Sequence, residues 1–300
     1  MRAWVCRAFG DLDQLQIEDL PSPDPGPGQV VVRPKGASVT FVEMLVCQGK
    51  HQHKPDLPFT PGGETAGVVE RVGEGVTRFR EGDEVLCGSR FAACAEEVLA
   101  DEKACFPLPG PFDFNQGAAF MSAYKTAYVA LVPRGHLQPG ETLLVHAAAG
   151  GVGLAAVELG KVLGATVIGT ASSEEKLKIV RNMGADHVIN YTEGGFREQV
   201  KELTGGRGAD VIYDPVGGDV FDESIRCIAP FGRILIIGFT SGRIPQAPVN
   251  YPLIKQFSIV GVRAGEYGRV FPEGGRKVNE ELLKLAEQGK FHPHIGGTYA

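Results

Sequence analysis

The residues best suited to chemistry lie in one stretch, Thr142-Leu143-Leu144-Val145-His146-Ala147-Ala148-Ala149-Gly150-Gly151-Val152-Gly153. An apolar run leads into small residues and then into a helix-like segment, with Ala148, Gly150 and Gly153 at the three positions of a G-x-G-x-x-G fingerprint. Glycine at 150 lets the backbone approach a pyrophosphate, and glycine at 153 lets a helix close on the strand. The helix N-terminus adds N–H groups and the positive end of its dipole. Alanine at the first position departs from the strict motif. A tight strand-to-helix connection could use the same residues, so the surrounding elements must decide.

The next strand decides which dinucleotide fits. A site for NAD usually ends that strand in Asp or Glu, which binds the ribose hydroxyls, whereas a 2′-phosphate is repelled by such an acid. Here the strand ends Ile168-Gly169-Thr170-Ala171-Ser172-Ser173 without an acid, and Lys176 follows in the first turn of the next helix. Glu174 and Glu175 share that turn, where acids ordinarily complement the helix dipole. The pattern favours NADPH.

The elements that must position these residues follow two rhythms. Up to about residue 110, short β-like runs (Arg2 to Ala8, Gln29 to Pro34, Glu64 to Val72, Asp83 to Cys87, Ala95 to Leu99) are punctuated by Gly and Pro, as in a compact β-barrel. Phe114 to Leu131 then reads as one helix with Asn115 near its start. From Glu141 strands and helices alternate through Arg233 to Gly238, the pattern of a doubly wound parallel sheet. This persistence favours the dinucleotide reading over a simple tight turn.

Composition removes other classes. The 300 residues are enough for two domains, and 43% hydrophobic residues with 22% charged suffice to bury cores. A net charge of −6 gives no footprint for nucleic acid. No apolar run is long enough for a bilayer span, and no signal peptide is visible, so a cytoplasmic protein is expected. Six cysteines without C-x-x-C spacing point to reduced structural thiols.

Together these residues resemble the zinc-free quinone oxidoreductases, or ζ-crystallin-like group, of the medium-chain dehydrogenase/reductase superfamily. The carriers are Pro61-Gly62-Gly63-Glu64, Ala66 to Val69, Gly73 to Val76, Gly82 to Val85, Tyr124 to Tyr128, His146 to Gly153, Gly184-Ala185-Asp186 and Gly232-Arg233. Cys47-Gln48-Gly49 and Gly217 to Phe221 look like one branch of that family. The resemblance implies an α/β chain with a GroES-like β-barrel catalytic domain (1–120) and a Rossmann NADP-binding domain (121–262). A return segment to the first domain (263–300) would then stop short of the family's closing helix and strand.

By the same resemblance Thr126 would hold the nicotinamide carboxamide, and Ala149, Gly150, Gly151, Val152 and Gly153 the pyrophosphate. Ser172, Lys176 and Tyr191 would meet the 2′-phosphate. Gly218, the loop Ile237-Gly238-Phe239 and the segment Arg263, Ala264 and Gly265 would lie beside the cofactor. Zinc-dependent relatives place Cys where this chain has Thr40 and His where it has Gly63, so no zinc and no other metal is expected. Cys47, His51 and His53 lack a convincing fourth ligand.

The implied activity is hydride transfer from NADPH to a quinone or similar conjugated carbonyl, without an obligatory acid/base dyad. Thr40, Glu43, His51 and Tyr124 are the cleft candidates; resembling proteins usually carry Asn, Asp and Tyr at the first three. A 2-enoyl thioester or enone reductase of the same superfamily is the first alternative, with Tyr124 or Tyr128 as proton donor. A non-catalytic NADPH-binding protein, including an RNA-binding one, is the second. The apolar run Phe257 to Val262 resembles an outermost strand, and an exposed edge of that kind implies a homodimer.

Overall fold

The computed structural model describes residues 1–88, 92–193 and 195–299. The chain forms two compact units, Met1–Ser122 with the residues from His292 on, and Ala123–Phe291.

In the first unit β1 (Arg2–Val5) and β2 (Gln16–Asp19) pair as an antiparallel hairpin. A five-stranded antiparallel sheet contains β3 (Gln29–Ala37), β4 (Glu64–Val72), β5 (Glu84–Gly88), β6 (Val98–Asp101) and β7 (Cys105–Pro107), in the order β6-β3-β4-β5-β7. Alternate valines (Val30, Val32, Val69, Val85, Val98) put one apolar face into a shared core. Irregular register between Val31 and Val32 and between Pro34 and Gly36 bends β3, and the sheet is a curled half-barrel where a compact β-barrel is expected. Two short helices, α1 (Phe41–Cys47) and α2 (Phe114–Ala118), complete this unit, and α3 (Met121–Val129) follows.

The second unit is built on six parallel strands: β8 (Thr142–Val145), β9 (Thr166–Ala171), β10 (His187–Asn190), β11 (Ala209–Asp214), β12 (Ile228–Ile236) and β13 (Ser258–Gly261). Their order is β10-β9-β8-β11-β12-β13, so the winding reverses between β8 and β11. Every residue of β11 is buried, as a strand covered on both faces requires. The intervening helices are α4 (Gly151–Val162), α5 (Glu174–Asn182), α6 (Arg197–Leu203), α7 (Gly218–Cys227) and α8 (Asn250–Lys255), with α9 (Ala264–Val270) and α10 (Pro272–Glu287) after β13. This is the doubly wound arrangement that the alternation implies.

Three details differ from the sequence reading. The single helix expected over 114–131 is broken into α2 and α3 and ends in a wider π turn, Ala130–Arg134, where Pro133 lacks the N–H that would continue the ladder. Asp113 caps α2, in a reciprocal box with Gln116, rather than Asn115. Residues 263–291, read as a return toward the first domain, fold as α9 and α10 within the second unit.

A partly buried ion pair ties the base of this sheet. Arg233 on β12 donates from Nη1 to Glu141 Oε1 at 2.8 Å and from Nη2 to Glu141 Oε2 at 2.7 Å, and its Nε reaches the Gly135 carbonyl at 2.7 Å. Burial opposes the Glu141 charge, but Arg233 and the Gln138 N–H outweigh it and hold the carboxyl below its ordinary pKa. Arg233→Gln is expected to cost about 2 kcal/mol, discounted from the fully buried case because both side chains keep some solvent contact. Urea unfolding at neutral pH checks this, and an unchanged midpoint would contradict it.

All six cysteines are free thiols, with Cys94 half-buried and the others buried. Burial pushes Cys47 and Cys94 up to about 11 and Cys227 up to about 12. Cys87 lies directly opposite Cys105, whose thiol contact, with burial, raises it as well. No helix among the described residues is long and apolar enough to cross a membrane.

Candidate functional site

The turn after β8 has the geometry its residue types imply, with one shift. The left-handed residue is Ala147 (φ 46°), not Ala148 at the first motif position. Ala148 is instead buried with its N–H bonded to the Thr170 carbonyl at 2.9 Å, so an alanine there needs no special backbone freedom. Gly153 is obligatory for packing, because a Cβ on it would stand 2.5 Å from the Ala147 oxygen and 2.8 Å from Ala148 Cα. Gly151 is different: a Cβ there would meet nothing within 4 Å among the described residues. Gly150 is the N-cap of α4 and offers no side chain to it. An uncapped helix N-terminus facing open space at its first residue suits an anionic group, and the turn fits a dinucleotide pyrophosphate.

Ser172, Tyr191, Ile237 to Phe239 and Arg263 to Gly265 follow the carboxyl ends of the same parallel strands, where open α/β sheets bind ligands. Ser172 follows β9; Lys176 in α5 donates from Nζ to Ser172 Oγ at 3.3 Å. Tyr191 follows β10, 40% exposed, with its N–H on the Ala171 carbonyl at 3.3 Å. These three are therefore brought together. Beyond β12 the Ile237 N–H bonds to the Asp214 carbonyl at 2.9 Å, and the Val262 N–H beside it reaches the Ile236 carbonyl at 3.1 Å. Ile237-Gly238-Phe239 and Arg263-Ala264-Gly265 thus leave adjacent strands side by side. Gly218 starts α7 with its N–H on the Arg243 carbonyl at 3.1 Å, and a Cβ on it would stand 2.7 Å from Ser241 Oγ. Its immediate surroundings are this chain's own loop. Thr126 is half-buried on α3.

Two buried polar groups here escape sequence reasoning. His146, 1% exposed, places Nε2 2.9 Å from Ser224 Oγ on α7 and Nδ1 3.2 Å from Thr170 Oγ1 on β9. Ser224 donates its hydroxyl proton to the Val220 carbonyl at 2.7 Å, so it accepts from His146. The proton therefore sits on Nε2, and Nδ1 accepts from Thr170. Burial pushes the imidazole down to about 3. Asp214, at the end of β11, accepts the Val216 and Gly217 N–H groups on Oδ1 at 2.8 and 2.9 Å, while buried Oδ2 has no partner among the described residues. Burial raises its pKa despite those two N–H donors. A polar residue closing each apolar strand was the only signal available in the sequence.

The cleft candidates are engaged locally. Thr40 is the N-cap of α1: its N–H donates to Glu43 Oε2 at 2.8 Å, its hydroxyl contacts the same oxygen, and the Val42 N–H approaches Thr40 Oγ1 at 3.3 Å. Thr40 and Glu43 thus form a capping box. The half-buried His51 accepts the His53 N–H on Nδ1 at 3.2 Å. Tyr124 is buried against Phe291, ring centroids 4.8 Å apart, and its hydroxyl donates to Glu158 Oε2 at 2.5 Å. Burial and the Glu158 carboxylate push its pKa well up, which makes it a poor proton donor. No group of three or more His, Cys, Asp or Glu among the described residues is placed to hold a metal.

Residues 26–134 match the alcohol dehydrogenase GroES-like domain family and residues 151–285 the zinc-binding dehydrogenase family. A curled antiparallel sheet with a dinucleotide-type parallel sheet, carrying these matches, defines an oxidoreductase of the medium-chain dehydrogenase/reductase superfamily. Within it the chain belongs to the quinone oxidoreductase family, on the branch that the Cys47 and Gly217 stretches resemble. It is 43% identical over 99% of its length to a quinone oxidoreductase-like protein 2 homolog of Nematostella vectensis, covering 82% of that protein. Among solved structures it resembles the Escherichia coli quinone oxidoreductase complexed with NADPH, at 30% identity and TM-score 0.89, over 99% of this chain and 91% of that one. The CurK enoyl reductase is similar at 25% identity and TM-score 0.88, over 98% and 90%.

Proposed function

We propose that the chain is an NADPH-dependent reductase passing hydride to quinones or similar conjugated carbonyls without a catalytic zinc. The observation that carries this is the acid-free end of β9, where Ser172, Lys176 and Tyr191 gather beside the open, uncapped N-terminus of α4. When bound, reduced nicotinamide supplies the hydride. Gly151, Val152 and Gly153 hold the pyrophosphate through backbone N–H groups; Lys176 and Ser172 meet the 2′-phosphate; Thr126 orients the carboxamide; Ile237–Phe239 and Arg263–Gly265 flank the ring and exclude water. Zinc independence is supported by Thr40, whose hydroxyl serves the α1 cap, and by Gly63, which has no side chain to ligate. The cytoplasm, where the six thiols stay reduced, fits this reading.

Reduction of enoyl thioesters is the second reading, favoured by the likeness to CurK enoyl reductase. The buried Tyr124 phenol speaks against it. NADPH oxidation should be followed with an ortho-quinone, a para-quinone and an enoyl thioester in parallel, with and without a chelator. The proposal expects quinone turnover that the chelator leaves intact. Preferential enoyl turnover would favour the second reading, and tight NADPH binding without any turnover would indicate a binding protein.

Lys176→Ala is expected to weaken NADPH about tenfold or more and NADH hardly at all, on the scale of a charge-assisted hydrogen bond. Fluorescence titration with both dinucleotides measures this; equal losses would contradict it. The edge strand β13, at the end of the sheet order, supports a two-fold dimer through Phe257–Val262. Light scattering at micromolar concentration is expected to give twice 32.0 kDa, and a monodisperse monomer would sink the dimer.

A further inference from the structure

The imidazole of His146 makes none of the contacts proposed for the dinucleotide, yet both of its nitrogens are engaged. The chain runs from His146 directly into Ala147 and the phosphate turn, while Thr170 lies two residues before Ser172 on β9. Two bonds join these places: His146 Nδ1 with Thr170 Oγ1 at 3.2 Å, and the Ala148 N–H with the Thr170 carbonyl at 2.9 Å. The Nε2 bond to Ser224 anchors the ring to α7, and Phe196 packs against it at 4.5 Å between ring centroids. The ring is thus fixed by strand, helix and aromatic neighbour together, as a support for ligand-binding groups should be.

We infer that His146 is a positioning residue: it holds the phosphate turn and the Ser172–Lys176 strand end in register, so that one dinucleotide meets both phosphate-binding places at once. The inference rests on the NADPH reading above. A turn that drifts relative to β9 would still bind a pyrophosphate but would lose the second contact, because linked contacts reinforce each other only when geometry lets both engage.

The test uses full-length His146→Leu, His146→Asn and Thr170→Val, alone and with Lys176→Ala, titrated with NADPH and NADH. His146→Leu is expected to raise the NADPH Kd about tenfold, the size of one or two lost hydrogen bonds. His146→Asn is expected to restore most of that, since an amide keeps one donor and one acceptor. In the His146→Leu background the NADPH penalty of Lys176→Ala should shrink about threefold or more, the coupling expected of residues acting through one network. A ring that only fills the core would lower Tm and leave the Lys176 penalty whole. Where His146→Leu does not fold, Thr170→Val carries the test, with NADPH weakened about threefold and NADH less. Wild-type NADPH affinity in the histidine or threonine variant, or an undiminished Lys176 penalty, overturns the inference. Failure of the wild-type chain to bind NADPH overturns instead the function on which it rests.

Discussion

Gly153→Ala is expected to abolish dinucleotide binding and cost about 3 kcal/mol of stability, whereas Gly151→Ala weakens binding about tenfold or more and leaves stability nearly unchanged. The contrast follows from what a methyl group would meet. At Gly153 the nearest atoms, at 2.5 and 2.8 Å, belong to the backbone of Ala147 and Ala148. Backbone there cannot swing aside like a side chain, since Ala147 is already left-handed and Ala148 is bonded to β9. The helix would have to lift off the strand. At Gly151 nothing among the described residues lies within 4 Å, so the methyl enters the space proposed for the pyrophosphate. Chemical denaturation and NADPH titration of the two variants separate the effects. A Gly153→Ala protein of wild-type stability would refute the packing argument, and a Gly151→Ala protein with full affinity would place the dinucleotide elsewhere.

The second large effect is expected in acid. His146 is neutral in the folded state down to about 3, whereas in the unfolded chain an imidazole takes a proton near its ordinary value of about 6.5. The unfolded state therefore binds more protons between these values, and stability falls as pH falls. The contribution is complete above about pH 6.5, declines by up to about 1.4 kcal/mol per pH unit below that, and amounts to a loss of about 3 kcal/mol by pH 4. Carboxylates titrate over part of this window, so the measurement is the difference in pH slope of urea stability between wild type and His146→Asn. The variant should lose that share of the slope, and parallel profiles would show that His146 is protonated in the fold or solvated.

The doubly wound half was legible because its strands are short apolar runs separated by amphipathic helices, a signal each segment carries alone. The phosphate turn was legible for the same local reason. The π turn that ends α3 has a local signal in Pro133, just past the expected helix, whereas the α2–α3 break between Ala118 and Met121 has no proline to mark it. The capping box of Thr40 and Glu43 likewise has a local signature, threonine followed three residues later by glutamate. Other features were not legible at all. Tyr124 looks like an available phenol until Glu158, 34 residues away, accepts its hydroxyl in a buried hydrogen bond. Ser224 meets His146 across 78 residues. Such contacts depend on which faces of helix and sheet come together, and a single sequence does not state that.

The thiols bear on what the protein can survive. Quinones and enones alkylate sulfur by conjugate addition, and the attacking species is the thiolate. In Cys6, Cys47, Cys87, Cys94 and Cys227 burial helps hold the proton on sulfur, with Cys47 and Cys94 at about 11 and Cys227 at about 12. At neutral pH these side chains present almost no thiolate, and four of the five present little surface. On the quinone activity proposed above, packing would thereby shield these five thiols from arylation by the acceptors the enzyme admits.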